Sequence, residues 1–359
     1  MGRDTGTGKQ IQKSVYGKTQ SEVLKKLKQI QVSIDNGSYS EPTSITVAGW
    51  MDIWLKEYLG AVKPFTVRSY SDHTKNHIKP CLGAVHLQKL TAPAVQKFYN
   101  EKLNSGLSPK TIKNLHGVLH SALKQAVLIG YLKSNPTEVC KLPRVEKKEI
   151  AVMSEDEMAS LLDDIKGHKF ENLYFVTLFT GMRQGEVIGL TWDCVDFKNG
   201  VILINKQLQK EKKVGGRYGL VSLKNDTFRK ITPARAVMEV LVKQRKLQNE
   251  QHLKCGTIWN NKDNLVFTNE LGEHLAHFTV WKHFKKIVRK LGIGHIRFHD
   301  MRHSYAVISL QSGDDVKTVQ ENLGHHTAAF TLDVYGGVTE RMKEQSAKRM
   351  DNFINSLVV

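Results

Sequence analysis

The spacing of apolar residues changes character once along this chain, and that change limits the folds open to it. From Thr46 to Leu142 the apolar positions recur at helical intervals, whereas beyond Ile150 helical stripes alternate with short runs of period two. In the first stretch Val47, Trp50, Met51, Trp54, Leu55 and Tyr58 share one helical face. Pro64 opens a second helix that runs to His77-Ile78 and is expected to stop at Pro80; a third spans 92–103. Ser108 before Pro109 caps a fourth, through Ile129, with Ile112, Leu115, Val118, Leu119, Leu123 and Val127 inward. Ahead of this bundle, the segment 1–43 predicts one or two short strands near Ile11 and Val15-Tyr16, then a helix over 19–36. That helix has Val23, Leu24, Leu27, Ile30 and Ile34 as its stripe.

In the second stretch, Ser154 with Glu157 opens a helix. A more apolar helix follows, through Leu173, Val176 and Phe179, and ends at Gly181. Strands are predicted at 201–204, 207–209, 220–223 and 229–232, with a hairpin loop over 210–219 containing Gly215-Gly216. A helix over 233–252, a strand at 265–267 and a helix over 276–291 come next, and 339–357 is a last helix with too little apolar face for a core. The fold class expected is multidomain and mainly α: a helical domain followed by an α+β domain with a small antiparallel sheet.

Composition narrows the partners. A chain of 359 residues is too long for one small core. Lys and Arg outnumber Asp and Glu 53 to 35, for a formal charge of +18, a field that attracts polyanions and points to nucleic acid. On the helical domain, Lys63, Arg68, Lys75, Lys79, Lys110 and Lys113 fall on polar faces that suit a clamp on one side of a duplex. Arg144, Lys147 and Lys148 lie in KLPRVEKK, a basic linker able to follow a DNA backbone, and Lys9, Lys13 and Lys18 make the N-terminal segment basic. Cys81, Cys140, Cys194 and Cys255 are far apart and read as reduced thiols. The first twelve residues lack the apolar core of a signal peptide, Gly6 stands where myristoylation wants Ser or Thr, and no apolar run approaches a membrane span. A cytosolic protein with no membrane partner is expected.

The chemistry concentrates in FHDMRHSYAVISLQSGDDVKTVQENLGHHTAAFTLDVY, residues 298–335. His299 and Arg302 stand three apart at the mouth of a helix over 301–310, where an anion is favoured. A second helix through Val316, Val319 and Leu323 stops at Gly324, followed by His325 and His326, and Tyr335 comes before two glycines. Two histidines, an arginine and a tyrosine in this setting suit the handling of a phosphate. Far upstream, Thr180-Gly181-Met182-Arg183-Gln184-Gly185-Glu186 puts an arginine on a tight turn before a short helix. His299 and His303 have a metal-site spacing, but a zinc protease wants Glu where Asp300 stands, so no metal and no cofactor are expected.

These boxes resemble those of the tyrosine recombinases, the integrases of phages and conjugative transposons. The resemblance implies a catalytic set of Arg183, Lys224, His299, Arg302 and His325 with Tyr335 as nucleophile. Lys224 follows the third predicted strand, and Lys210, Lys212 and Lys213 compete with it for the lysine role. It also implies a partial arm-type DNA-binding module over 1–43, a core-site DNA-binding domain over 46–142, a basic linker over 143–153 and a catalytic domain over 154–338. The tail, 339–359, then docks on a neighbouring protomer or packs in cis. Double-stranded DNA at core and arm sites, a homotetramer on paired sites, and an excisionase or DNA-bending accessory protein are the partners implied, in a bacterial cytosol or nucleoid. Gly336-Gly337 depart from the polar or histidine residue the family often has after its nucleophile. A type IB topoisomerase and a non-catalytic DNA-binding protein remain as alternatives.

Overall fold

The computed structural model describes residues 14–35, 44–146, 150–210, 218–223, 228–324, 327 and 340–357. The chain divides into two compact units, Met1–Lys147 and Lys148–Val359.

In the first unit, α1 (Gln20–Asp35) forms where the apolar stripe predicts it, but Leu24 and Leu27 stay about half exposed. Residues 14–17 carry no strand, and Ile11 lies outside the described residues. The bundle comprises α2 (Val47–Glu57), α3 (Pro64–His73), the short α4 (Lys79–Leu82), α5 (Ala92–Asn104) and α6 (Pro109–Leu128). Thr46, Thr91 and Ser108 each accept a backbone N–H of the first turn of α2, α5 and α6, satisfying donors that a helix start leaves open. The core is continuous from Val47, Trp50 and Met51 to Leu115, Leu119 and Leu123, each fully buried side chain stabilising by roughly 1.5–3 kcal/mol. The Trp50 indole donates to the Ala122 carbonyl at 2.9 Å, so its one polar atom is satisfied inside the bundle.

Pro80 does not end the second bundle helix. Residues Thr74–Ile78 form a π-turn in which the Lys79 N–H donates five residues back, to Thr74, and Pro80 then enters the first turn of α4, where an N–H is not needed.

The second unit is built around α8. First comes α7 (Glu155–Asp164), closed by a reciprocal capping box between Ser154 and Glu157. Then α8 (Glu171–Thr180) is buried nearly all round, through Asn172, Leu173, Tyr174, Val176, Thr177 and Leu178, and packs on the helices Asp300–Gln311 and Arg235–Cys255. The short α9 (Gln184–Ile188) follows. Strands β1 (Val195–Asp196), β2 (Val201–Ile204) and, later in the chain, β5 (Arg229–Ile231) form an antiparallel sheet in the order β1-β2-β5, with Ile202 opposite Ile231. Between them, β3 (Lys206–Lys210) and β4 (Tyr218–Ser222) make a separate hairpin, Lys206 opposite Ser222. Gly185 and Gly189, one helical turn apart, seat α9 on β3. A Cβ on Gly189 would lie 2.5 Å from the Leu208 backbone nitrogen, an approach no other residue permits.

The remaining helices are α10 (Arg235–Cys255), α11 (His277–Lys290), α12 (Asp300–Gln311), α13 (Val316–Leu323) and α14 (Glu340–Leu357). The strand predicted at 265–267 is instead an isolated bridge between Leu265 and Thr191. There the Val266 N–H donates to the Leu190 carbonyl, and the Asn264 carbonyl, just ahead of the stretch, accepts from the Trp192 N–H. The buried Gln248 amide then takes up the Leu265 and Val266 carbonyls and accepts from the Trp192 indole at 2.6 Å, so side-chain bonds replace a ladder. On α14, Met350, Phe353 and Leu357 are exposed, in line with the weak apolar face read from its sequence. Among the described residues no helix is long and apolar enough to cross a membrane.

Candidate active site

Gly181 terminates α8 with φ +63°, a left-handed conformation costly for a side chain. A Cβ there would meet Tyr305 at 2.5 Å and Leu323 at 2.7 Å, so the glycine also lets α12 and α13 close over the turn. Two residues on, Arg183 leaves this turn at the start of α9 with about two-fifths of its side chain exposed. Its Nη1 donates to Glu186 Oε1 at 2.7 Å and its Nη2 to the Gly324 carbonyl at 3.3 Å.

Glu186 is almost wholly buried. Its carboxylate accepts four hydrogen bonds: from the Arg183 guanidinium and backbone N–H, and from Arg229 Nη1 and Nη2 at 3.1 and 2.6 Å. Burial by itself would push this carboxyl up; the hydrogen bonds and charges of Arg229, then of Arg183, hold it down at about 2.

Arg302, on the first turn of α12, is 2% exposed. Its Nη1 donates to the Gly181 carbonyl at 2.7 Å and its Nη2 to the Leu323 carbonyl at 2.6 Å. Arg229 Nε donates to Asn322 at 2.7 Å. Three consecutive carbonyls, of Asn322, Leu323 and Gly324, thus each accept from a different arginine: Arg229, Arg302 and Arg183. These carbonyls close α13, the end where a helix is electronegative, and the three guanidiniums offset that partial charge. Gly324 itself, at φ +63°, ends α13, and His325 follows it directly in sequence.

His299 precedes α12, its ring 4.9 Å from that of His303. Although the residue keeps contact with solvent, burial of the ring is the first cause that lowers its pKa, to about 4. The neighbouring His303, Arg302 and Arg183 push the same way and Asp300 opposes, so the ring is neutral at pH 7. Asp300 is fully buried and accepts three bonds from Arg297, two from its guanidinium and one from its backbone. Ser304, one turn on, accepts from the Met153 N–H, tying the segment before α7 to α12.

The structure therefore gathers three of the predicted site residues, Arg183, His299 and Arg302, within one unit. Lys224, His325 and Tyr335 lie outside the described residues, as do Lys212 and Lys213; Leu223, just before Lys224, is buried after β4. Lys210 is exposed at the end of β3. In the other unit Lys18, Lys63, Arg68, Lys75, Lys110, Lys113 and Arg144 are exposed, Arg68 within 3.9 Å of Asp72, whereas Lys79 is half-buried and paired with Asp52. Lys9, Lys13, Lys147 and Lys148 are outside the described residues. Sequence reasoning gave no role to Arg229 or to the Glu186 carboxylate. Glu186 three residues after Arg183 follows helix-capping spacing and could have been found; Arg229, on a strand more than forty residues away, has no local signal. Among the described residues no group of three or more His, Cys, Asp or Glu side chains is placed to hold a metal ion.

Residues 151–341 match the model of the phage integrase family, and residues 46–103 match that of a phage integrase N-terminal SAM-like domain. A protein of Caldanaerobacter subterraneus subsp. tengcongensis described as tyrosine recombinase XerC-like is 30% identical over 370 residues, covering 98% of this chain and 94% of its own. The ICEBs1 integrase of Bacillus subtilis is 23% identical, over 99% and 96% of the two chains. Among solved structures, the Tn1549 transposon integrase in complex with a circular intermediate DNA superposes with TM-score 0.72 at 22% identity, over 86% of this chain and 100% of that one. A lambda integrase tetramer bound to a Holliday junction gives 0.58 at 18% identity, over 91% and 92%.

Proposed function

The chain belongs to the phage integrase family and is a tyrosine recombinase, and from that premise we propose how its residues cut and rejoin DNA. The observation that supports the reading is the meeting of Arg183 and Arg302 at the C-terminal end of α13, with a neutral His299 near enough to feel both charges. A phosphodiester is anionic, and its pentacovalent transition state is more so. Two guanidiniums held by carbonyls and a carboxylate are preorganised to offset that charge without rearranging during reaction.

Tyr335 supplies the nucleophile. Its phenol, with an ordinary pKa of about 10, must lose its proton as the oxygen bonds to phosphorus. His299, uncharged at pH 7, can take part in that transfer or orient the phosphate. His325 donates a hydrogen bond to the phosphate, and Lys224, after the β3–β4 hairpin, gives a proton to the departing 5′ oxygen. The P–O5′ bond breaks, leaving a 3′-phosphotyrosyl link and a free 5′ hydroxyl; attack by a hydroxyl of another strand reverses the step. The bond energy is kept in the link. The product is site-specific recombination that integrates and excises a mobile element.

In this reading residues 46–142 grip the core site through Lys63, Arg68, Lys75, Lys110 and Lys113. Residues 1–43 serve as a partial arm-site module, 143–153 as a basic linker, and 154–338 as the catalytic domain. Four copies assemble on paired sites in the bacterial cytosol, with α14 docked on a neighbour, and an excisionase or DNA-bending protein sets direction.

The test is a nicked duplex spanning a junction of the mobile element, incubated with wild type and with Tyr335→Phe and run on a denaturing gel. A covalent protein–DNA band in wild type alone supports the reading. A band of equal strength in the Phe variant, or none in wild type despite tight binding, refutes it.

A further inference from the structure

We propose that Arg229 is a positioning residue of the cleavage step: it keeps the charge of Arg183 available to phosphate and fixes the turn leading to His325. The proposal rests on the reading of Arg183 given above.

The geometry carries it. All three guanidinium nitrogens of Arg229 are engaged, Nη1 and Nη2 on the two oxygens of Glu186 and Nε on the Asn322 carbonyl. The side chain is only 9% exposed, so it acts through its partners. Glu186 is also bonded to Arg183, and an isolated Arg183–Glu186 pair would be neutral. Adding Arg229 restores a net positive charge to the trio and shares the carboxylate, leaving Arg183 partly exposed with a positive field. Without Arg229 the buried carboxylate would turn wholly on Arg183, drawing its guanidinium inward and cancelling it, because a buried charge does not stay unpaired. The third bond spans from β5 to the end of α13. Gly324 is fitted to it: a Cβ there would lie 3.0 Å from Arg229 Cδ, in a conformation with φ +63°.

A purely structural pin and a positioning residue differ in what restores cleavage. Single-turnover covalent complex formation is measured at saturating nicked duplex, beside DNA affinity, for wild type, Arg229→Gln, Arg229→Lys and the double variant Arg229→Gln with Glu186→Gln. Arg229→Gln is expected to slow cleavage about 100-fold with affinity nearly unchanged, and removing the competing carboxylate in the double variant to recover about tenfold. Arg229→Lys keeps the charge but not the three bonds, and is expected to lose about tenfold. If the Gln variant does not fold, the Lys variant decides: cleavage at the wild-type rate overturns the proposal. So does a folded Gln variant that cleaves like wild type, or a double variant no faster than the Gln variant. Absence of a covalent complex in wild type would sink the cleavage reading itself, and this proposal with it, whereas normal wild-type cleavage with an indifferent Arg229 sinks the proposal alone.

Discussion

Replacing Gly181 by Ala tests how the turn below the site is built. The backbone there has φ +63°, and leaving a non-glycine residue in that conformation costs roughly 1–2 kcal/mol. The new methyl would also stand 2.5 Å from a Tyr305 ring carbon and 2.7 Å from a Leu323 methyl. Overpacking of that kind costs roughly 1–3 kcal/mol more, so the total is about 2–5 kcal/mol. Gly200 is the control: its φ is +66°, but nothing lies within 4 Å of where a methyl would stand, so Gly200→Ala should lose only the conformational part. Native-state hydrogen exchange of the α8 and α12 amides reads the stability of this unit alone. Exchange in Gly181→Ala should be faster than in Gly200→Ala by the equivalent of about 1–3 kcal/mol. Equal losses would mean that Tyr305 and Leu323 do not close over the turn, and the placing of Arg302 on the Gly181 carbonyl would have to be abandoned.

Three further outcomes follow from the same contacts. Glu186 has a folded pKa of about 2 against an ordinary 4.5, so it stabilises the fold above 4.5 and loses that contribution as pH falls through 2; wild type should lose about 3 kcal/mol more than Glu186→Gln across that window in urea titrations. His299, with its pKa lowered to about 4, favours the fold fully above 6.5 and progressively less down to 4; its ring resonances should show the neutral form at pH 6, and a midpoint near 6.5 would refute the burial of the ring beside His303, Arg302 and Arg183. Lys110→Ala and Lys113→Ala, both at exposed positions on α6, should each lower the slope of log affinity against log salt by about 0.9, and an unchanged slope would remove them from the DNA interface.

Much of this was legible because the signals are local. The glycines that stop α8 and α13, the Ser154 capping box and the 3.6-residue stripes of α2 and α6 each declare themselves within a few residues. The boxes around Arg183 and His299 were legible for the same reason, since a glycine turn precedes Arg183 and a helix begins directly after His299. Pro80 was misread because a π-turn shifts the hydrogen bonds by one residue, which no residue type announces. The stretch 265–267 has strand composition, yet its backbone partners are one bridge and the Asn261 and Gln248 side chains, a tertiary choice. The wiring of the site was not legible at all: Arg229, Glu186 and Asn322 meet only through the fold, and an arginine on a short strand looks like any surface residue. Nor does a helix end show in sequence that its last three carbonyls will be taken by three separate arginines.

Of the ten tyrosines, Tyr335 is the one proposed to carry the DNA. Nuclease digestion of the covalent complex followed by peptide mass spectrometry identifies the modified residue. The expected result is a nucleotide 3′-phosphate on Tyr335 and a 5′ hydroxyl on the released strand. A phosphate on any other residue, or a link through the 5′ end, would contradict it.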